Sequence, residues 1–153
     1  MPIPAPRSVE LIRHPASPTS GVVRRIDVEI STTADGALRL RYFVDGDVSR
    51  ILVPPLASSR PTDGLWQHTC FEAFIAGHAS SAYCEFNFSP SGEWAAYRFE
   101  RYREGVPFEA ADPKISVQRT AAILKLEARI FHPPPGNLRL GLFNFMRRNP
   151  EIS

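Results

Sequence analysis

The sequence predicts an all-β protein, an antiparallel β-sandwich built from two sheets. Fifteen prolines and nine glycines among the 153 residues interrupt the chain too often for long helices. Between these interruptions, short segments alternate apolar and polar residues with the period of two that is typical of half-buried strands. About eight or nine such segments, with turn signals roughly every 8–12 residues, favour a sandwich over alternating strands and helices.

The composition is that of one globular domain, with 43% hydrophobic and 22% charged residues. The 18 basic and 16 acidic residues are well mixed and leave a net charge of only +2, without the basic stripe that nucleic-acid binding requires. No stretch of about 18 continuous apolar residues is present, and the opening MPIPAPRSVELIRHP lacks the apolar segment of a secretion signal. We therefore expect a cytoplasmic protein that binds neither nucleic acid nor membranes.

Proline positions and alternation give the order of the elements. Residues 1–20 carry five prolines and are predicted to form an extended lead-in with a short edge strand, as part of the same domain. Residues 22–30 and 38–43 alternate around a turn at Asp35-Gly36 and predict a β-hairpin. Further strands are predicted at residues 51–53, 68–76, 82–89, 93–103, 115–119, 123–130 and 138–142, with a polar loop at residues 57–64. The sandwich domain is thus assigned to residues 21–142, and residues 143–153 to an atypical C-terminal tail.

The register of two central strands decides which side chains share a face. A tight turn on Ser91-Gly92 sets Glu85 opposite Arg98, and Phe86 opposite Tyr97 on the core face. The prediction therefore places Glu85 and Arg98 together on the face away from the core.

Alternation in the preceding strand extends this face. If Phe71 points into the core, Glu72 and Cys70 lie on the Glu85 face, whereas Cys84 lies on the core face. A disulfide between the two cysteines is not expected, and the absence of a C-x-x-C spacing gives no sign of a zinc site.

Two runs resemble a known family, namely LWQHTCFEAF at residues 65–74 and YCEFNFSPSGEWAAYRF at residues 83–99. Both are similar to the DOMON-like domain of bacterial proteins, which is related to the family 9 carbohydrate-binding modules. The resemblance covers roughly residues 10–142 and implies a jelly-roll-like β-sandwich. It also implies a superfamily associated with the recognition of sugars or haem.

The end of the chain departs from this pattern. Similar domains continue beyond the strand at residues 138–142 into further strands, whereas this sequence reads FNFMRRNPEIS and stops. We expect the sandwich to lack its last strands and to expose a sheet edge, which favours self-association. A protein-interaction or structural domain that uses this edge is therefore an alternative function.

Trp66 and Trp94 are candidates for binding a sugar, because a flat indole offers apolar area to the C–H face of the ring and an N–H to a hydroxyl. The alternative is that both indoles pack in the core or at its rim, as large aromatic side chains usually do.

A polar cluster of Glu72, Glu85, Asn87 and Arg98 completes the candidate site, since these groups donate and accept hydrogen bonds in fixed directions. The alternative is a solvent-facing ladder in which Arg98 neutralises its two glutamate neighbours. With both tryptophans, these residues predict a non-catalytic module that binds a saccharide or a similar polar small molecule.

Catalysis and cofactors are less well supported by the sequence. Paired carboxylates at Glu72 and Glu85 would suit a glycoside hydrolase, a second alternative, but no cleft or division into acid and base is identifiable. No Asp-rich loop indicates calcium, and no pairing of Met and His indicates haem. We expect no enzyme activity, no metal and no cofactor.

Overall fold

A computed structural model describes residues 5–12, 21–77, 81–99, 105–107, 112–134 and 136–147. Its strands are β1 (Arg7–Glu10), β2 (Val23–Thr32), β3 (Leu38–Gly46), β4 (Cys70–Gly77), β5 (Tyr83–Phe88), β6 (Trp94–Phe99), β7 (Gly105–Pro107), β8 (Lys114–Arg119), β9 (Ile123–Ile130) and β10 (Leu138–Phe145). They form a first sheet in the order β1-β2-β3-β9-β8 and a second sheet in the order β10-β4-β5-β6-β7. Every neighbouring pair is antiparallel, so the predicted two-sheet β-sandwich is confirmed.

Most predicted strands are found close to their expected positions. The hairpin at Asp35-Gly36 joins β2 to β3, with Gly36 at φ +86°, a conformation that glycine adopts without strain. Part of the predicted lead-in forms β1, which is an edge strand paired only with β2 in the described part of the chain. None of the described helices is long and apolar enough to cross a membrane.

Two boundaries differ from the prediction. Residues 51–53 form none of these strands, and only Ile51 makes a β-bridge; a short 3-10 turn at Val48–Arg50 precedes them, and the Leu52 N–H donates to the Arg147 carbonyl at 2.7 Å. Pro54-Pro55 cannot donate ladder hydrogen bonds, which ends any pairing there. Strand β10 continues to Phe145 and Met146 is buried, so the sandwich includes residues assigned to the tail.

The core lies between the sheets and is formed by alternate residues of each strand. Its largest fully buried side chains include Tyr42, Phe71, Phe88, Leu40, Ile75, Leu124 and Leu126. Tyr42 of the first sheet packs on Phe71 of the second, with ring centroids 4.8 Å apart. Its hydroxyl donates a hydrogen bond of 3.0 Å to the Glu72 backbone carbonyl. This bond satisfies a buried hydroxyl and links the two sheets.

The turn between β5 and β6 has three residues, and the predicted register is wrong by one position. The Gly92 N–H donates to the Ser89 carbonyl at 2.9 Å, and Gly92 has φ +97°. A two-residue turn on Ser91-Gly92 would need a positive φ at Ser91, whereas Pro90 at the second position of a type I turn followed by a left-handed glycine is an ordinary three-residue hairpin.

The corrected register changes which side chains lie together. Glu85 is opposite Tyr97, and Arg98 is opposite Cys84. Arg98 is therefore on the Cys84 side of the sheet, away from Glu85, whereas Tyr97 shares the Glu85 face instead of the core face. Cys70 and Cys84 lie on opposite faces as predicted, and no disulfide joins them.

Candidate ligand-binding face

The outer face of the second sheet brings together three of the predicted site residues. Glu72 of β4 is directly opposite Asn87 of β5. Glu85 is opposite Phe74 on one side and Tyr97 on the other. Because cross-strand partners share a face, these five side chains lie on one surface that points away from the core.

Four aromatic rings cross this surface from β10 to β6. Phe143 packs edge-on against Phe74 with centroids 5.4 Å apart, and Phe74 lies 6.0 Å from Tyr83. Tyr83 stacks on Phe99 at 4.7 Å with the ring planes 3° apart. We call these four residues the aromatic strip. Phe143 is 55% exposed, so one end of the strip is open to solvent.

Gly141 permits the close approach of two rings of the strip. A Cβ at this position would lie 3.2 Å from the Phe143 ring and 3.6 Å from the Phe74 Cβ. A larger residue would push Phe143 away from Phe74. The absence of a side chain at Gly141 therefore leaves space above the sheet.

An open depression of about 670 Å³ lies over this part of the face. Glu72, Phe74, Tyr83, Arg139 and Phe143 are among the residues that line it. Its volume is within the range of roughly 300–1,000 Å³ that is common for small-molecule sites. The depression therefore joins apolar rings to a carboxylate in a space that a small ligand can occupy.

The two glutamates of this face are half-buried, and burial changes their titration. Burial raises the pKa of Glu72. Burial also raises the pKa of Glu85, and the nearby negative charge of Glu72 raises it further. Among the described residues, no lysine or arginine lies within 4.0 Å of either carboxylate. Their negative charge is thus not neutralised by an ion pair within this part of the chain.

Asn87 is the most deeply buried polar residue of the face. It is 1% exposed, and its Oδ1 has no hydrogen-bond partner among the residues that the structure describes. A buried acceptor without a partner costs about 1–3 kcal/mol, because the bond that it makes to water in the unfolded chain is not replaced. The surface beside Glu72 therefore contains a buried acceptor, Asn87 Oδ1, for which the described residues supply no donor.

The predicted polar loop at residues 57–64 runs beside this face and is anchored on β6. Pro61 forms a parallel bridge with Trp94, and Thr62 Oγ1 donates to a Glu93 carboxylate oxygen at 2.8 Å. The Tyr97 hydroxyl donates to Asp63 Oδ1, also at 2.8 Å. These contacts fix the end of the loop on β6 and so define where the next residues, Leu65–Gln67, begin.

Those residues form a short 3-10 turn, Leu65–Gln67, that contacts β5. Gly64 precedes it with φ +78°, a left-handed conformation that glycine adopts without strain. Leu65 is buried, whereas Trp66 is 58% exposed. The Trp66 indole is therefore open to solvent, but it does not line the depression, and its role in ligand binding stays a prediction.

Two predicted site residues lie elsewhere. Trp94 is only 4% exposed and belongs to the core cluster, opposite Phe88, so its placement as a ligand-stacking residue is corrected. Arg98 has an exposed side chain on the other side of the sheet from Glu72 and Glu85. The three-residue turn is the cause, because a shift of one residue exchanges the two faces of β6.

The aromatic residues of the face were missed at the level of sequence. Tyr83, Glu85 and Asn87 alternate with buried Phe86 and Phe88, so the signal for an aromatic outer face was present in β5. In β10, Phe143 was assigned to the tail. Tyr97 was assigned to the core by the wrong register.

The outer face of the first sheet has a different character, because its charges are paired. Arg41 lies 3.3 Å from Glu29, and Arg25 lies 2.9 Å from Asp27. The solvent-facing ladder of neighbouring opposite charges that was considered for the second sheet is thus found on the first.

Within the described residues, no group of three or more His, Cys, Asp or Glu side chains could hold a metal ion. The chain matches no protein-family model, no curated protein and no solved structure.

Proposed function

We propose that this protein is a binding module that holds a saccharide or a similar polar small molecule on the outer face of its second sheet, without catalysis. The observation that carries the proposal is an open depression lined by Glu72 and by three rings of the aromatic strip, Phe74, Tyr83 and Phe143, with the Glu85 carboxylate on the same face of the sheet. A saccharide has apolar C–H faces and hydroxyl edges, and this surface offers a complement to both.

The physical roles divide between the two kinds of residue. Phe143 and Tyr83 present ring area to the C–H face of a sugar. Glu72 and Glu85 accept hydrogen bonds from hydroxyls, and charged acceptors make stronger hydrogen bonds than neutral ones. Trp66, exposed on the turn over β5, offers a second apolar surface for a longer ligand.

The proposal is tested by screening the purified protein against a glycan array and measuring the affinity for each hit. Phe143→Ala and Trp66→Ala remove exposed rings, and we expect Phe143→Ala to weaken binding by about tenfold or more, which corresponds to 1.4 kcal/mol. Ile123→Ala is the matched control, because it removes a similarly exposed apolar side chain from the first sheet. Absence of binding by the folded protein, or equal losses in all three variants, would refute the proposal.

A glycoside hydrolase on Glu72 and Glu85 is the second candidate, favoured by the raised pKa of both carboxyls. The two residues are diagonal neighbours on adjacent strands, a relation that separates positions by roughly 7–8 Å. Hydrolysis needs one carboxyl to remain an anion while the other donates a proton. Burial raises the pKa of both carboxyls, so these shifts do not assign one as the acid and the other as the base. Release of reducing sugar from an array hit would support the hydrolase.

A third candidate is an interaction domain that uses β10. Among the described strands β10 pairs only with β4, and Phe143 and Phe145 are exposed on it. Sedimentation over a range of concentrations tests this candidate, and Phe145→Lys is expected to abolish any self-association through this edge, since an edge charge opposes strand addition.

A further inference from the structure

We infer that the ligand of this face carries a protonated amine, and that among saccharides the site selects amino sugars. The inference rests on the proposed function and makes its ligand class narrower. It follows from the charge of the face, from its rings and from the acceptors beneath them.

The first step is the charge contrast between the two outer faces. On the first sheet, the carboxylates of Glu29, Asp27 and Asp45 each have an arginine within 3.3 Å. On the second sheet, Glu72 and Glu85 have no such cation among the described residues, although both are half-buried. Partly buried charges are costly unless they are paired. A cationic ligand would supply the missing charge.

Arg139 does not remove this requirement. It also lines the depression, but it is opposite Ala76, whereas Glu72 is opposite Phe143. Four residues of an extended strand separate the two positions, which is about 13 Å along the sheet. The depression therefore has an acidic end at Glu72 and a basic end at Arg139.

The second step is the aromatic strip. Phe74 is the cross-strand partner of Glu85, and Phe143 is the partner of Glu72. A cation over an aromatic ring is attracted by about 0.5–1 kcal/mol at exposed sites and by more where water is excluded. Rings and carboxylates that alternate across neighbouring strands thus form a surface on which an ammonium group is favoured over a neutral hydroxyl.

The third step is Asn87. Its Oδ1 is an acceptor with no partner in the described part of the chain, and Asn87 is directly opposite Glu72. The acceptors on this part of the face are therefore the carboxylate of Glu72, which lines the depression, the carboxylate of Glu85 and the amide oxygen of Asn87 beneath them. An ammonium group has three donors and no acceptor, which fits such a set better than a hydroxyl or a carboxylate.

The net charge of the protein does not explain a preference for amines. Its net charge is +2 at neutral pH, so long-range attraction of cations by the molecule is not expected. Preference for an amine would have to come from a local site.

The test compares two trisaccharides by titration calorimetry at neutral pH and moderate salt. The probes are the trimer of glucosamine and the trimer of N-acetylglucosamine; acetylation converts each ionisable amine into a neutral amide, and the glutamine variants separate the effect of charge from that of the added acetyl group. We expect the glucosamine trimer to bind at least tenfold more tightly. Glu72→Gln and Glu85→Gln should each reduce this preference to less than threefold, while Glu29→Gln on the first sheet should leave it unchanged.

The outcomes separate the inference from the proposed function. Equal or tighter binding of the acetylated trimer, or a preference that survives both glutamine variants, would overturn the amine inference and leave saccharide binding in place. Binding of neither trimer by a protein that binds another glycan on the array would also overturn it. If no saccharide of any kind binds, both ideas fail together.

Discussion

Replacement of Asn87 by leucine should stabilise the protein while removing ligand binding. Asn87 is 1% exposed, and its Oδ1 lacks a partner within the described ranges of the chain, a defect that costs about 1–3 kcal/mol. Leucine has nearly the same shape and has no polar atom to satisfy, but slight overpacking will offset part of the gain. We therefore expect the free energy of unfolding to rise by about 1 kcal/mol, which corresponds to an increase in Tm of about 2–4 °C for a domain of this size.

The measurement is urea unfolding of the wild type and of Asn87→Leu, followed by titration of each with a bound glycan. Asn137→Leu is the control, because Asn137 is exposed and the same substitution should change stability by less than about 0.5 kcal/mol. A loss of more than about 1 kcal/mol in Asn87→Leu would refute the reasoning, since it would mean that the amide oxygen has a partner that the fold depends on.

Three further changes test separate contacts. Tyr42→Phe should lower the free energy of unfolding by about 0.5–1.5 kcal/mol in urea, because the hydroxyl bond to the Glu72 carbonyl is lost. Trp94→Ala should cost about 3–5 kcal/mol by the same measurement, as expected for a core indole; a cost below about 1 kcal/mol would contradict its burial. Glu85→Gln should raise stability at neutral pH. The raised folded pKa of Glu85 means that wild-type stability is lowered above that pKa and recovers as pH falls from it towards the ordinary value near 4.5, so thermal unfolding across this range should show a smaller recovery in the variant.

The fold was predictable because each strand has a local signal in the sequence, the alternation of apolar and polar residues. The segment at residues 123–130 alternates strictly and has Thr120 and Pro133 near its ends, and β9 occupies the same residues. The pairing of strands that are distant in the sequence could not be predicted in this way. That β10 pairs with β4, and β9 with β3, depends on how the sheets fold over each other, which no local pattern encodes.

The candidate site was predictable to the extent that a single strand determines it. Glu85 and Asn87 are two residues apart in β5 and must share a face. The positions of Arg98 and Tyr97 relative to them depended on one turn, and the glycine at its third position changed the face of every residue in β6. The prediction of the strand was therefore correct, and the error came from a turn that is one residue longer than expected.

The hydrogen bond from Tyr42 has a consequence for the energetics of recognition. It fixes the peptide group of Glu72 from the side of the opposite sheet, so the backbone that carries this carboxylate is already immobilised before any ligand arrives. A receptor whose groups are preorganised loses little conformational entropy on association, and more of the contact energy remains as affinity. Substitutions deep in the core of the first sheet should therefore alter affinity at a surface that they never touch.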